Sequence, residues 1–203
     1  MARTRAQDYA IKQDLILQNA ARLFAEFGYV GTSISMIAEG CGVSKALLYH
    51  YYPDKETVLF DLVSMHLEKL ITVVEAAIKA APENDRLYAM SAALLDAYRD
   101  ADAHHKVQIA NLTFLKPEKQ EILRAMERRL VALFADAIAA AVPDIGHGPM
   151  LKAVTMSLFG MLNWHYLWFR EGKGLSREDY ARLATAMIVA GASPAAQRVQ
   201  EMD

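Results

Sequence analysis

The chain has 203 residues, 54% of them hydrophobic, and its 22 basic and 24 acidic side chains leave a formal charge of −2. That length suits one large domain or a small domain joined to a larger one. The near-neutral balance excludes a global positive field, so any nucleic-acid role must rest on local placement of charge. With Cys41 the single cysteine, no intrachain disulfide can form, and without the apolar core of a signal peptide the expected setting is reducing and cytoplasmic.

Apolar residues recur at three- and four-residue spacings with no sustained alternation, which predicts an all-α fold. After an arm bearing Arg3 and Arg5, "DLILQNAARLFAEFG" places Leu15, Ile16, Ala20, Leu23, Phe24 and Phe27 on one stripe, with Gly28 set to end the helix. Thr32 is expected to cap "SISMIAEG", which turns Ile34, Ile37 and Ala38 inward and stops at Gly40. Gly42 then tolerates positive φ, Val43 plugs inward, and Ser44 caps a third short helix, "KALLYHYY". Asp54, after Pro53, caps a bridging helix to about Ala80 with Leu59, Leu62, Val63, Leu67 and Leu70 on its apolar side. Breaks at Pro82, Ala101 to Ala103, Pro117, "VPDIGHGP" and "REGKGLS" divide the rest into helices near 84–100, 104–115, 118–141, 150–169 and 176–190. The tail after Gly191, with Pro194, reads as frayed. Ala153 to Phe169 is the most apolar stretch, but Asn163 and His165 interrupt it and it falls short of a span, so it reads as a buried or interface helix, not a membrane segment.

The second and third helices, joined by "EGCG", form a two-helix unit if Ile37, Ala38, Cys41, Val43, Leu48 and Tyr51 share one small core. Periodicity then turns Lys45, Ala46, Tyr49 and His50 outward. Small, basic and hydrogen-bonding residues at a helix start fit insertion into a major groove, where free backbone N–H groups also meet phosphate. Lys55 and Thr32 extend the expected contact to the DNA backbone. Residues 1–60 carry six basic and six acidic side chains, a formal net of zero. Affinity must therefore come from geometry, from the arm, and from two heads acting together.

These residues carry a resemblance. From Ile16 to Leu62, "GY..TS", "IA..CGVSK", "LYHYY" and "DKE" closely resemble the DNA-binding head of TetR-family transcriptional regulators. The resemblance implies an all-α homodimer: an N-terminal three-helix head with a helix-turn-helix (residues 1–54), joined to a larger C-terminal helical ligand-binding and dimerisation domain (55–203). Position by position it makes Ser44, Lys45, Tyr49, His50 and Lys55 contacts to a double-stranded, palindromic operator, with Thr32 on a phosphate at the start of the second helix. Ala46 stands where glycine or alanine is usual, and Tyr52 where phenylalanine is commoner. The implied function is a repressor released by a small-molecule effector; an activator with the same head is the alternative, and a non-DNA helical scaffold the remaining one.

"SLFGMLNWHYLWFREGKGLSREDYARLA", Ser157 to Ala184, is similar to the end of the family subset that regulates fatty-acid, steroid and phenylacetate breakdown, several members of which respond to acyl-CoA thioesters. An acyl-CoA thioester or an aromatic or fatty acid is the effector this implies. From the residues alone, Met65, Leu94, Tyr98, Ile109, Phe114 and Trp164 are the apolar candidates for a ligand cavity, with Asn111 a polar one, and Arg86, Arg99 or Lys106 available to an acid group. The helix around Phe159 to Phe169 is apolar on nearly every side, and with Leu183, Met187 and Ile188 it is expected to complete a four-helix contact with a symmetry mate. The adjacent His104 and His105 do not share a helix face, so no metal site is expected. No nucleophile, base and orienter stand at a diagnostic spacing, so neither an enzyme nor a cofactor is expected.

Overall fold

Helix α1 (Ala2–Gly31) starts well ahead of the expected stripe, and Gly28, at φ 71° and ψ 168°, breaks it near its end. The structure, a computed structural model, describes residues 2–99 and 101–201, with side chains from residue 7 to 199 apart from residue 100, and that of 201. The side chains of Arg3 and Arg5 lie outside the described ones. Among the described residues ten α-helices follow one another, α1 being succeeded by α2 (Ile34–Gly40), α3 (Lys45–Tyr51), α4 (Lys55–Ala80), α5 (Arg86–Ala97), α6 (Asp102–Asn111), α7 (Pro117–Ala141), α8 (Pro149–Asn163), α9 (His165–Trp168) and α10 (Arg177–Gln200). Among the described residues the fold is all-α, and none of its helices is long and apolar enough to cross a membrane.

Two compact units result. One holds the chain up to Glu68 together with Ala101–Ala125; the other holds Lys69–Asp100 and the chain from Met126 onward. In the first, Ile16, Leu17, Ala20, Ala21, Leu23 and Phe24 of α1 are buried, whereas Leu15 and Phe27 of the expected stripe are 42% and 50% exposed. Helix α6 lies along α1 in this unit. In the second unit, Leu70 and Val74 of α4, Met90 and Leu94 of α5, Phe134 and Ile138 of α7, and Leu158 and Leu162 of α8 share one core with Ala181 and Ala184 of α10. Burying each of the larger side chains in this set, leucine, isoleucine, valine, methionine or phenylalanine, contributes roughly 1.5–3 kcal/mol.

Caps decide several boundaries. Asp54 caps α4 as expected: its Oδ1 accepts from the Thr57 N–H at 2.7 Å and from the Thr57 hydroxyl at 2.8 Å. The cap of α2 is Ser33, whose Oγ accepts from the Met36 N–H at 3.1 Å, and not the expected Thr32. The expected helix over 150–169 is broken at Trp164, which closes α8 before the single turn of α9. The expected frayed tail is helix instead. Pro194 sits exposed inside α10, and Ala192 and Ala196 on either side of it are each 5% exposed, so burial offsets the hydrogen bond that proline cannot donate.

Candidate nucleic-acid interface

Helices α2 and α3 are seven residues each, too short to be stable by propensity, so packing must hold them. Ile37 and Leu48 are fully buried and Ala38 nearly so. The turn between them passes through Gly42 at φ 64°, a conformation open to glycine and costly for most other residues. At the far end of α3 the buried tyrosine is Tyr52, 1% exposed, and not the expected Tyr51. Tyr51 is half-buried and stacks on Tyr9 of α1 with ring centres 4.5 Å apart. Cys41, expected in the core, is also half-buried, and burial raises its thiol pKa.

With Leu48 and Tyr52 committed inward, α3 presents its other side to solvent. Ser44 Oγ accepts from the Leu47 N–H at 3.1 Å and so caps the helix start. Lys45, Ala46, Tyr49 and His50 are all exposed, Tyr49 by 47%. The Lys45 ammonium hovers 5.9 Å from the Tyr49 ring centre, a loose contact that leaves it available. His50 meets Tyr51 edge-on at 5.8 Å. Four of the expected contact residues and the capping serine thus share one helix and its first turn.

Thr32 and Lys55 are placed differently. Thr32 is 1% exposed, and its hydroxyl proton is shared between the carbonyls of Leu23 at 3.1 Å and Gly28 at 2.9 Å. The Lys55 ammonium donates to the carbonyls of Tyr29 at 2.6 Å and Thr32 at 2.7 Å, and burial lowers its pKa. No spacing rule announces this arrangement, because the partners are 23 and 26 residues apart in the chain.

The residues expected around an effector fall in both units. Met65, Ile109, Asn111 and Phe114 belong to the first unit, where Asn111 is buried and donates to the Val107 carbonyl at 3.1 Å, while the other three are 43%, 48% and 44% exposed. Leu94, Tyr98 and Trp164 belong to the second. There Leu94 is fully buried in the core and the Tyr98 hydroxyl donates to Asn163 Oδ1 at 2.9 Å, burial raising its pKa, whereas Trp164 is 52% exposed. A cleft of about 190 Å³ in this unit is lined by Arg86, one of the residues expected to meet an acid group, and by Ile78, Met90, Leu133 and Asp136 among others, but by none of the expected apolar candidates. The buried Nε of Arg86 has no protein hydrogen-bond partner there.

The same unit carries an uncovered apolar surface. Met156, Trp164, Leu167, Trp168, Leu183 and Met187 of the α8–α10 region are 45–57% exposed, while Ile188, expected on that surface, is 8% exposed and serves the core. His165 is 2% exposed, stacked 4.2 Å from Phe169 and 5.0 Å from Tyr180. Among the described residues, no group of three or more His, Cys, Asp or Glu side chains is placed to hold a metal ion.

Comparison with known proteins matches residues 16–62 to the family described as bacterial regulatory proteins, tetR family, and residues 80–192 to the tetracyclin repressor-like C-terminal domain. A TetR-family transcriptional regulator from Bordetella parapertussis 12822 is similar at 31% identity and a TM-score of 0.82, over 88% of this chain and 94% of that one. AibR, solved in complex with isovaleryl coenzyme A and operator DNA, is 26% identical with a TM-score of 0.72, over 87% of this chain and 97% of its own. The HTH-type transcriptional regulator YuxN of Bacillus subtilis is 39% identical over 61 residues, 30% of this chain; the match spans 21% of that relative's length.

Proposed function

The chain belongs to the TetR family of DNA-binding transcriptional regulators, and we propose that it works as a homodimeric repressor that a small molecule releases from its operator. One observation carries the reading: α3 is buried through Leu48 and, at its C-cap, Tyr52, while Lys45, Ala46, Tyr49 and His50 are exposed on its other side. A helix of that size enters a major groove with its N-terminal residues on base edges. Lys45 and Ala46 take that place, with Tyr49, His50 and the capped first turn at Ser44 on phosphates. Thr32, its hydroxyl turned inward, fixes the corner of the head from which these residues are presented.

A head with no net charge binds weakly alone, so a second copy supplies the affinity. The exposed apolar side chains of α8–α10 support that copy as the partner, because a closed two-fold contact pairs the same surface on both protomers. A palindromic site matches two heads related by such an axis. The functional division follows: residues 1–54 read DNA, and 55–203 dimerise and take the effector. The effector class rests on the likeness to AibR, which is bound to isovaleryl coenzyme A. The cleft of about 190 Å³ beside Arg86 is smaller than the roughly 300–1,000 Å³ of ordinary ligand sites, so it does not by itself enclose a whole thioester. Ligand binding then lowers DNA affinity by preferring one arrangement of the dimer. Activation by the same head is the second reading, since the sign also depends on where the operator lies in a promoter.

The test is a gel-shift titration of the dimer against duplex DNA selected from a random pool, repeated with short-chain, aromatic and steroid-derived acyl-CoA thioesters and their free acids. Lys45→Ala and Tyr49→Ala are each expected to cost about 10–100-fold in affinity, or roughly 1–3 kcal/mol. Full affinity in both folded variants refutes the contact assignment. Thioesters that leave the shift unchanged refute the effector class alone.

A further inference from the structure

Lys55 opens α4, and its ammonium is occupied inside the head. It donates to the carbonyls of Tyr29 and Thr32, which bracket the corner where α1 ends and α2 begins, and lies 4.3 Å from the centre of the Tyr29 ring. That ring in turn stacks on Phe114, centre to centre 4.9 Å and 22° from parallel. Phe114 closes a 3-10 turn, Leu112–Phe114, far along the chain but in the same compact unit. Beside Lys55, the Glu56 carboxylate accepts the Lys116 N–H at 3.1 Å and lies 3.6 Å from the Lys119 ammonium. The corner from Tyr29 to Thr32 is therefore held both by the start of α4 and by the 112–119 segment. Helix α2 leaves from this corner, and α3 takes its orientation from the core it shares with α2.

We infer that Lys55 and Phe114 are positioning residues for DNA reading, which together fix the Tyr29–Thr32 corner and through it the aim of α3. The inference rests on α3 being the groove-reading helix. An ammonium carries three donors and Lys55 has given two of them to part-buried backbone carbonyls, so its effect on affinity comes through geometry rather than through a neutralised phosphate. The two mechanisms differ in salt dependence. Each phosphate contact contributes about 0.9 to the slope of log affinity against log salt, whereas a misaimed helix weakens binding about equally at every salt concentration.

The experiment uses the full-length dimer and selected operator DNA between about 50 and 200 mM salt, with the active fraction fixed by stoichiometric titration. Lys55→Met keeps the stem and removes the charge, Phe114→Ala removes the ring, and Phe114→Tyr restores it. Expected are losses of about 10–100-fold for Lys55→Met and about 3–10-fold for Phe114→Ala per active dimer, an unchanged slope, and near-parental affinity for Phe114→Tyr. The double variant is expected to fall short of the product of the single losses, since both residues act on Tyr29. A slope lowered by about 0.9 per head in Lys55→Met overturns the inference in favour of a phosphate contact. Unchanged affinity in Phe114→Ala overturns it as well, and decides the matter alone if Lys55→Met does not fold. If the parental protein binds no DNA, the reading of α3 fails first. Hydrogen exchange at the Ile34–Ala38 amides then judges the corner: faster in both variants if they hold it, unchanged if they do not.

Discussion

The head and the body both leave a face uncovered, and the two faces differ in kind. On α3 the exposed side chains are Lys45, Tyr49 and His50, with the small Ala46 among them, and water solvates them at no great loss. On α8 to α10 they are Trp164, Leu167, Trp168, Leu183 and Met187, whose exposure costs about 25 cal/mol per Å² until something covers them. A polar face on a well-anchored helix suits a polyanion that comes and goes. An apolar face of bulky side chains suits a lasting partner of the same kind.

The largest expected effect comes from turning the second face into the first. Leu183→Asp with Met187→Asp is expected to give monomers in sedimentation and to lower operator affinity about 10²–10⁴-fold, because the two heads lose their common tether. A variant that stays dimeric breaks the comparison. Next is the pH response of the body. Buried between Phe169 and Tyr180, with the Arg177 guanidinium also disfavouring protonation and Glu171 opposing it, His165 has its pKa lowered to about 4. The unfolded chain takes up this proton below about 6.5 and the folded body only near 4. The stability from the neutral ring is therefore complete above about pH 6.5 and is lost as pH falls toward 4, a change of roughly 3 kcal/mol. Urea unfolding at pH 7 and 4.5 should show the drop, and His165→Phe, which keeps a ring in the stack, should flatten it. Ser44→Ala gives the smallest effect: losing the cap of α3 costs about 1 kcal/mol in thermal stability and weakens operator binding less than Lys45→Ala does.

Legibility followed the same division. The exposed face of α3 was plain in the sequence because Ser44 to His50 are neighbours on one short helix, and a 3.6-residue period assigns their directions once Leu48 is inside. The period failed by one step at Tyr51, because the stack on Tyr9 comes from another helix and lets Tyr52 take the buried place. In the body no such local rule applied: Ile188 resembles Met187 in chemistry, yet one is 8% and the other 57% exposed.

By itself the sequence determined an all-α chain, the glycine breaks at Gly28 and Gly42, the Asp54 and Ser44 caps, and the α2–α3 unit, since each depends on residues within a few positions of one another. Tertiary structure alone decided that Thr32 points inward, that Lys55 binds backbone carbonyls more than twenty residues away, and that the last helix continues through Pro194. Hydrogen-bond partners and burial of that kind arise where distant segments meet. Composition and period carry no information about which segments those will be.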